Sequence, residues 1–138
     1  MPAKDIYHEN FKNALIKDGW TITHDPIRLF WGSRDMYVDL AAEKFFAAEK
    51  AGKKIAVEIK SFLGSSEIND LENALGQYLV YRSVISRAEP ERTLYLAVHK
   101  EVYNNIFEQP LGDMLLEDYK IQLVVYDISP EVILRWIP

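Results

Sequence analysis

Three side chains in this chain have the types and spacing for metal-assisted phosphodiester chemistry. Asp39 lies in the run Tyr37-Val38-Asp39-Leu40-Ala41-Ala42-Glu43, and Glu58 and Lys60 lie in Ile55-Ala56-Val57-Glu58-Ile59-Lys60-Ser61. Both runs read as strands. Glu58 and Lys60 are two apart, so on a strand they share one face. A hard divalent cation prefers oxygen ligands, and Asp39 and Glu58 offer one carboxylate each. The carbonyl of Ile59, between Glu58 and Lys60, is placed to complete the protein ligands. Mg²⁺ or Mn²⁺ held this way lowers the pKa of a bound water and offsets charge on a phosphoryl group. Lys60 is then expected to orient the attacking water or to neutralise charge that builds at phosphorus. A Glu-x-Lys pair also suits an ordinary solvated strand face. The apolar alternation of Ala56, Val57 and Ile59 around the pair argues for the site.

Other residues extend the set. Glu9, on a first helix, is expected to reach the metal or its water shell. Gln77, on a second long helix with Tyr81 one turn on, is expected to bind water or phosphate near Lys60. Ser61 is read as a rim residue or the end of its strand. Glu43, four positions after Asp39, shares its strand face and is read as widening the acidic patch or as a solvated residue. Arg28, Arg34, Lys53 and Lys54 are the candidates for phosphate contacts. His8, His24 and His99 show no metal-ligand spacing and are read as structural or surface residues. His8 is expected to point away from Glu9. No glycine-rich phosphate loop follows a strand, and no Ser-His-Asp spacing is present.

The elements that must position these residues follow from periodicity. A helix is expected over 4–18, with Ile6, Phe11, Ala14 and Leu15 inward, joined by Tyr7, and Gly19 as its stop. A strand is expected over 20–24, a turn at Asp25-Pro26, and a loop over 27–34. Strands are expected over 36–43 and 55–61. Segment 45–54 reads equally as a strand extension or a short helix, with a turn at 52–54. Ser65 and Ser66 can cap a helix over 67–86, striped by Ile68, Leu71, Leu75, Tyr78, Leu79 and Arg82. Further strands are expected over 93–98 and 121–126, with helical pieces at 101–108 and 111–117 parted by Pro110. The tail, 130–138, reads as a final short strand or an irregular cap. Continuous apolar runs at 94–98 and 121–126 call for a mixed sheet buried on both faces by helices.

The chain has 138 residues, 49% of them hydrophobic, which suits one domain with a single core. It has no cysteine, so disulfides and thiolate metal sites are excluded. No apolar run reaches the roughly 20 residues that span a bilayer. The N-terminus does not read as a signal peptide, and a cytoplasmic location is expected. The formal net charge is −5. Residues 1–60 hold ten basic and nine acidic side chains, residues 61–138 six and twelve. Such a balance disfavours strong non-specific DNA binding by the chain alone and favours help from a more basic partner. Trp31 and Trp136 read as exposed aromatics suited to a partner. A homo-oligomer is compatible with the sequence.

The chain resembles the XisH family of fdxN-element excision controlling factors of cyanobacteria over nearly its whole length. The segments that carry this are Ala3-Lys4-Asp5 with His8-Glu9, Gly19-Trp20, Asp25-Pro26, Val38 to Glu43, Ala56 to Phe62, and Ala74-Leu75-Gly76-Gln77-Tyr78. The resemblance extends to the PD-(D/E)XK endonuclease-like superfamily. It implies an α/β, restriction-endonuclease-like core with a central mixed sheet flanked by helices. It implies Asp39 as the first acid, Glu58 and Lys60 as the Glu-x-Lys pair, Glu9 as the helix-one acid and Gln77 as the helix glutamine. Val38 stands where the superfamily often has proline. The family further implies a role in DNA excision during heterocyst development, beside a site-specific recombinase and a small XisI-like partner. Three functions follow as expectations: a Mg²⁺- or Mn²⁺-dependent endonuclease acting on DNA, a non-catalytic accessory factor that directs a recombinase through its partner, and a metal-binding toxin- or defence-like nuclease that draws on the same site.

Overall fold

Lys53–Ile59, Arg92–His99 and Leu123–Ile128 are rich in β-branched and aromatic residues, and they form inner strands β5, β6 and β7 of a six-stranded sheet. The computed structural model describes residues 5–44 and 52–138. Ahead of these strands come α1 (His8–Lys17), β1 (Thr21–His24), β2 (Ile27–Trp31), β3 (Arg34–Val38) and β4 (Leu40–Lys44). The long helix α2 (Glu67–Ala88) connects β5 to β6. Between β6 and β7 lie α3 (Lys100–Val102), a π-helical turn at Tyr103–Phe107, and α4 (Pro110–Tyr119). The final strand β8 (Glu131–Ile137) closes the chain. The sheet order is β1-β4-β5-β6-β7-β8. The β5/β6 and β6/β7 pairs are parallel, and the remaining pairs are antiparallel. The fold is mixed α/β, a central sheet flanked by helices.

Alternation along the inner strands sends side chains to two apolar layers. Ile55, Val57, Ile59, Tyr95 and Val124 meet Phe11 and Leu15 of α1. Ala56, Leu94, Leu96, Leu123 and Val125 meet Leu71, Ala74 and Tyr78 of α2. Burying a Phe or Leu fully contributes about 1.5–3 kcal/mol, so these stripes fix both helices on the sheet. Helix α1 ends where Gly19 takes φ 96° and its N–H donates to the carbonyl of Ile16. The Ser66 hydroxyl caps α2 by accepting from the Asn69 N–H at 3.2 Å.

Several expectations need correction. Helix α1 starts at His8, and Ile6 lies before it, 68% exposed. Ile68 of α2 is also exposed, and Ala74, Val84 and Ile85 join the buried stripe instead. Residues 27–34 form strand β2 and the turn into β3, a separate two-stranded sheet whose register pairs Ile27 with Val38 and Trp31 with Arg34. Ile27, Leu29 and Val38 anchor this hairpin on the α2 side of the core. Pro110 opens α4 at its first turn, where its missing N–H costs nothing. The tail is strand β8, paired to β7. Trp136 is half-buried and meets the Tyr95 ring edge-on at 4.9 Å, because from edge strand β8 its side chain falls on the α1 face of the sheet. Of the ambiguous segment, residues 45–51 lie outside the described residues, and Lys53 and Lys54 begin β5. Among the described residues, no helix is long and apolar enough to cross a membrane.

Candidate functional site

Val38 and Leu40 are both fully buried, yet they enter opposite layers of the core. In one continuous strand, residues two apart share a face. The backbone therefore turns at Asp39, which separates β3 of the hairpin from β4 of the main sheet. This break corrects the expected unbroken strand. Glu43, on β4, pairs with Lys54 at 3.7 Å.

At the break, Asp39 and Glu58 clasp each other's strands. The Ile59 N–H donates to the Asp39 carboxylate at 2.7 Å, and the Asp39 N–H donates to Glu58 Oε1 at 3.3 Å. Lys60 Nζ lies 3.4 Å from Glu58 Oε2. Glu58 is 5% exposed. Burial, then the negative charge of Asp39, pushes its carboxyl up to about 8, while Lys60 pulls the other way. Burial also raises the Asp39 carboxyl, opposed by the Ile59 amide, His8, Glu58 and Lys60. Two acids this close in a dry site hold a proton between them. A divalent cation held by Asp39 and Glu58 would supply the positive charge that the two carboxylates lack. The buried, converging carboxylates thus fit a hard cation, with Lys60 left to face an anionic ligand.

The pair sits at the carboxyl end of β5, the usual place for ligands in open α/β sheets. Lys60 and the exposed Gln77 line one cleft of about 560 Å³ with Asp5, Ser61, Phe62 and Asn73. Ser61 is buried, and both its N–H and its hydroxyl donate to the Asp5 carboxylate, so the N-terminal segment is pinned beside Lys60. Tyr81, half-buried on α2, has its phenol raised by burial and then by Glu58 and Asp39. It is a further α2 side chain near the acid pair, signalled in sequence only by its spacing from Gln77.

Glu9 is brought to a neighbouring cluster. One ligand atom each from His8, Glu9 and Asp25 lie within 4.8 Å of one another. His8 Nε2 is 2.7 Å from Asp25 Oδ1, and Lys12 Nζ is 2.7 Å from Asp25 Oδ2. The two hydrogen bonds pull the Asp25 carboxyl below its usual range despite its burial. His8 is 2% exposed and shares this cluster with Glu9, contrary to the expectation that it points away from Glu9. The sequence hid this arrangement because Asp25 arrives from the far end of β1 and reads locally as a turn residue.

Of the phosphate candidates, Arg28 pairs with Asp35, Lys54 with Glu43, and Lys53 reaches the Tyr95 hydroxyl at 3.4 Å. Arg34 is exposed at the hairpin tip.

Comparisons with known proteins agree with this architecture. A crystal structure of an XisH family protein from Nostoc punctiforme PCC 73102 superposes with TM-score 0.88 at 40% identity, covering 97% of this chain and 100% of that one. A crystal structure of an fdxN element excision controlling factor protein from Anabaena variabilis gives TM-score 0.87 at 40% identity, covering 98% and 100%. No curated protein matches. Residues 1–134 match the family described as XisH protein, and the chain belongs to that family.

Proposed function

We propose that this chain is an excision controlling factor for site-specific DNA rearrangement, acting as an accessory protein that directs a recombinase through a small XisI-like partner. The observation that carries this reading is the match, at 40% identity and across 98% of the chain, to a solved excision controlling factor. The chain's own charge supports a need for partners. A net charge of −5 disfavours strong DNA binding by the chain alone. In this reading residues 1–138 are one domain with an endonuclease-like core, working in the cytoplasm, and a homo-oligomer is allowed. The reading of the core is supported by the acid pair at the carboxyl end of β5 and by helices on both sheet faces. Asp39, Glu58 and the Ile59 carbonyl hold Mg²⁺ or Mn²⁺, and Lys60 and Gln77 face the DNA backbone in the cleft.

The direct experiment is plasmid excision by the cognate recombinase, with and without this chain and its partner. Excision that rises only when both are present supports the accessory role. Failure of the chain to co-purify with either the partner or DNA removes it.

A second reading, phosphodiester hydrolysis, is favoured by one specific observation: Lys60 lies 3.4 Å from a buried carboxylate that is itself joined to Asp39. A bound Mg²⁺ or Mn²⁺ supplies a more acidic water and stabilises phosphoryl charge. Lys60 orients an attacking group, and Glu58 and Asp39 fix the cation. Nicking of supercoiled plasmid in Mg²⁺ or Mn²⁺, lost in both Glu58→Ala and Lys60→Ala, supports hydrolysis. Absence of nicking in the complete complex leaves the accessory role alone.

A further inference from the structure

We propose that the β2–β3 hairpin and the C-terminal half of α2 form a docking surface for single-stranded DNA. Trp31 stacks a base there, and Arg34 and Arg87 hold phosphates. The proposal deepens the reading of this chain as a DNA excision factor and rests on it.

Two large aromatic side chains stand uncovered at the tip of the hairpin. Phe30 is 56% exposed and Trp31 51%. Neighbours along a strand point to opposite faces, so the tip offers one ring on each. The Arg28 guanidinium lies over the Phe30 ring at 4.6 Å. Trp31 forms one wall of a groove of about 600 Å³, and Leu79, Val80, Val84 and Arg87 of α2 line the other. An exposed aromatic beside an open apolar groove marks a binding surface.

Charge decides the occupant. The chain carries −5 overall, yet this surface has the opposite sign. Residues 27–38 and 73–88 together hold four arginines and one of the chain's 21 acidic residues, Asp35. Arg28 takes that acid, its Nε donating to Asp35 at 3.0 Å. Among the described residues, no acid lines the groove. Arg34 pairs with Trp31 across the hairpin and is exposed, and Arg87 is exposed at the other lip. Rings set between arginines suit a strand that is anionic along its backbone and flat and apolar in its bases. A duplex hides the base faces in its own stack, and a single strand presents them.

The surface is continuous with the cleft beside Lys60. The acid-free stretch of α2 starts with Asn73 and Gln77, which line that cleft, and runs on past Arg87. Gln77 to Arg87 covers about 15 Å along the helix. At roughly 3.4 Å per stacked nucleotide, about four nucleotides reach from the cleft to the groove.

The test is fluorescence anisotropy of a labelled oligothymidylate, alone and annealed to its complement, titrated with the intact chain. It is run in chelator over a series of salt concentrations. The single strand is expected to bind at least about fivefold tighter than the duplex and to quench tryptophan emission. Trp31→Ala is expected to weaken single-strand binding by at least about fivefold and to leave the salt slope unchanged. Trp31→Phe is expected to keep most of the affinity and lose the quenching. Arg34→Ala is expected to weaken binding and to lower the salt slope by about 0.7. Trp31 and Arg34 are exposed, so these variants keep the fold, which an unchanged Tm confirms. A wild-type chain that binds no single strand at low salt, or binds both forms equally, overturns the proposal. So does unchanged affinity in both Trp31→Ala and Arg34→Ala, which places the strand elsewhere. Capture of the partner protein through these residues, without strand binding, also overturns it and assigns the groove to an acidic protein segment. Failure of the excision reading shows separately, as no rise in plasmid excision whatever the strand affinity.

Discussion

Replacing Glu58 by glutamine should make the metal-free protein more stable at alkaline pH and leave it nearly unchanged at acidic pH. Glu58 is 5% exposed, and its carboxyl is raised from an ordinary 4.5 to about 8. Between those values the folded chain holds a proton that the unfolded chain has released. Stability of the folded state therefore falls as pH rises through this window, by about 1.4 kcal/mol per pH unit. From pH 5 to pH 8 the loss approaches about 4 kcal/mol, and part of it belongs to the Asp39 partner. Glutamine keeps the shape and the oxygen that accepts the Asp39 N–H, and it removes the charge. Against wild type, Glu58→Gln should gain about 2–4 kcal/mol at pH 8 and little at pH 5. Urea unfolding with a chelator present, followed by tryptophan fluorescence at several pH values, measures the difference. Added Mg²⁺ should restore wild type at pH 8, by about 2.7 kcal/mol at a hundredfold excess over Kd, and should help the variant less. Parallel pH profiles for the two proteins would refute the reasoning, since the buried carboxyl would then not be the group that carries the proton.

Further predictions rest on other contacts. Lys60→Met removes the ammonium 3.4 Å from Glu58, so the Glu58 carboxyl should rise further and Mg²⁺ affinity at pH 7 should change with it, read by calorimetric titration. Tyr78→Phe deletes a buried hydroxyl that donates to the Leu94 carbonyl at 3.2 Å and accepts from the Gln122 N–H at 3.0 Å. The unpaired amide should cost about 1–3 kcal/mol in urea unfolding, with no change in the pH slope. Gly112→Ala places a Cβ 2.1 Å from the Ile106 carbonyl oxygen and 2.5 Å from Phe107 Cα, both backbone atoms that have little room to yield. A loss of roughly 3 kcal/mol or more should show as poor soluble yield and a lowered Tm, and a normal Tm would place α4 differently.

Much of the fold could be read from local pattern. Leu94 to Val98 lies inside β6, and of the run expected over 121–126 the residues Leu123 to Tyr126 lie inside β7, which extends to Ile128; both are inner strands with helices covering the two faces of the sheet. Ser66 and Gly19 marked helix ends through the donors and carbonyls they satisfy. The hairpin at Ile27–Trp31 and Arg34–Val38 was hidden, since its exposed residues Phe30 and Trp31 are as large as the buried Ile27 and Leu29 and mask the alternation. The break at Asp39 was hidden for a related reason. Val38 and Leu40 both read as core, and only the three-dimensional layers show that they enter different ones. The pairing of Glu58 with Lys60 is local and could be read, as could the shared face of Gln77 and Tyr81. Asp25 could not be read as a partner of His8, because their 17-residue separation closes only through tertiary packing.

The central claim is that the Asp39–Glu58 pair serves DNA excision by this factor. A supercoiled plasmid carrying an excisable element, incubated with recombinase, partner protein and Mg²⁺, tests it most directly when wild type is compared with Glu58→Gln. The account predicts that wild type raises excision and that the variant, still folded and still bound to its partner, loses at least tenfold of that increase. Equal excision by the two proteins would contradict it, and would leave the buried acid pair with no part in the factor's work.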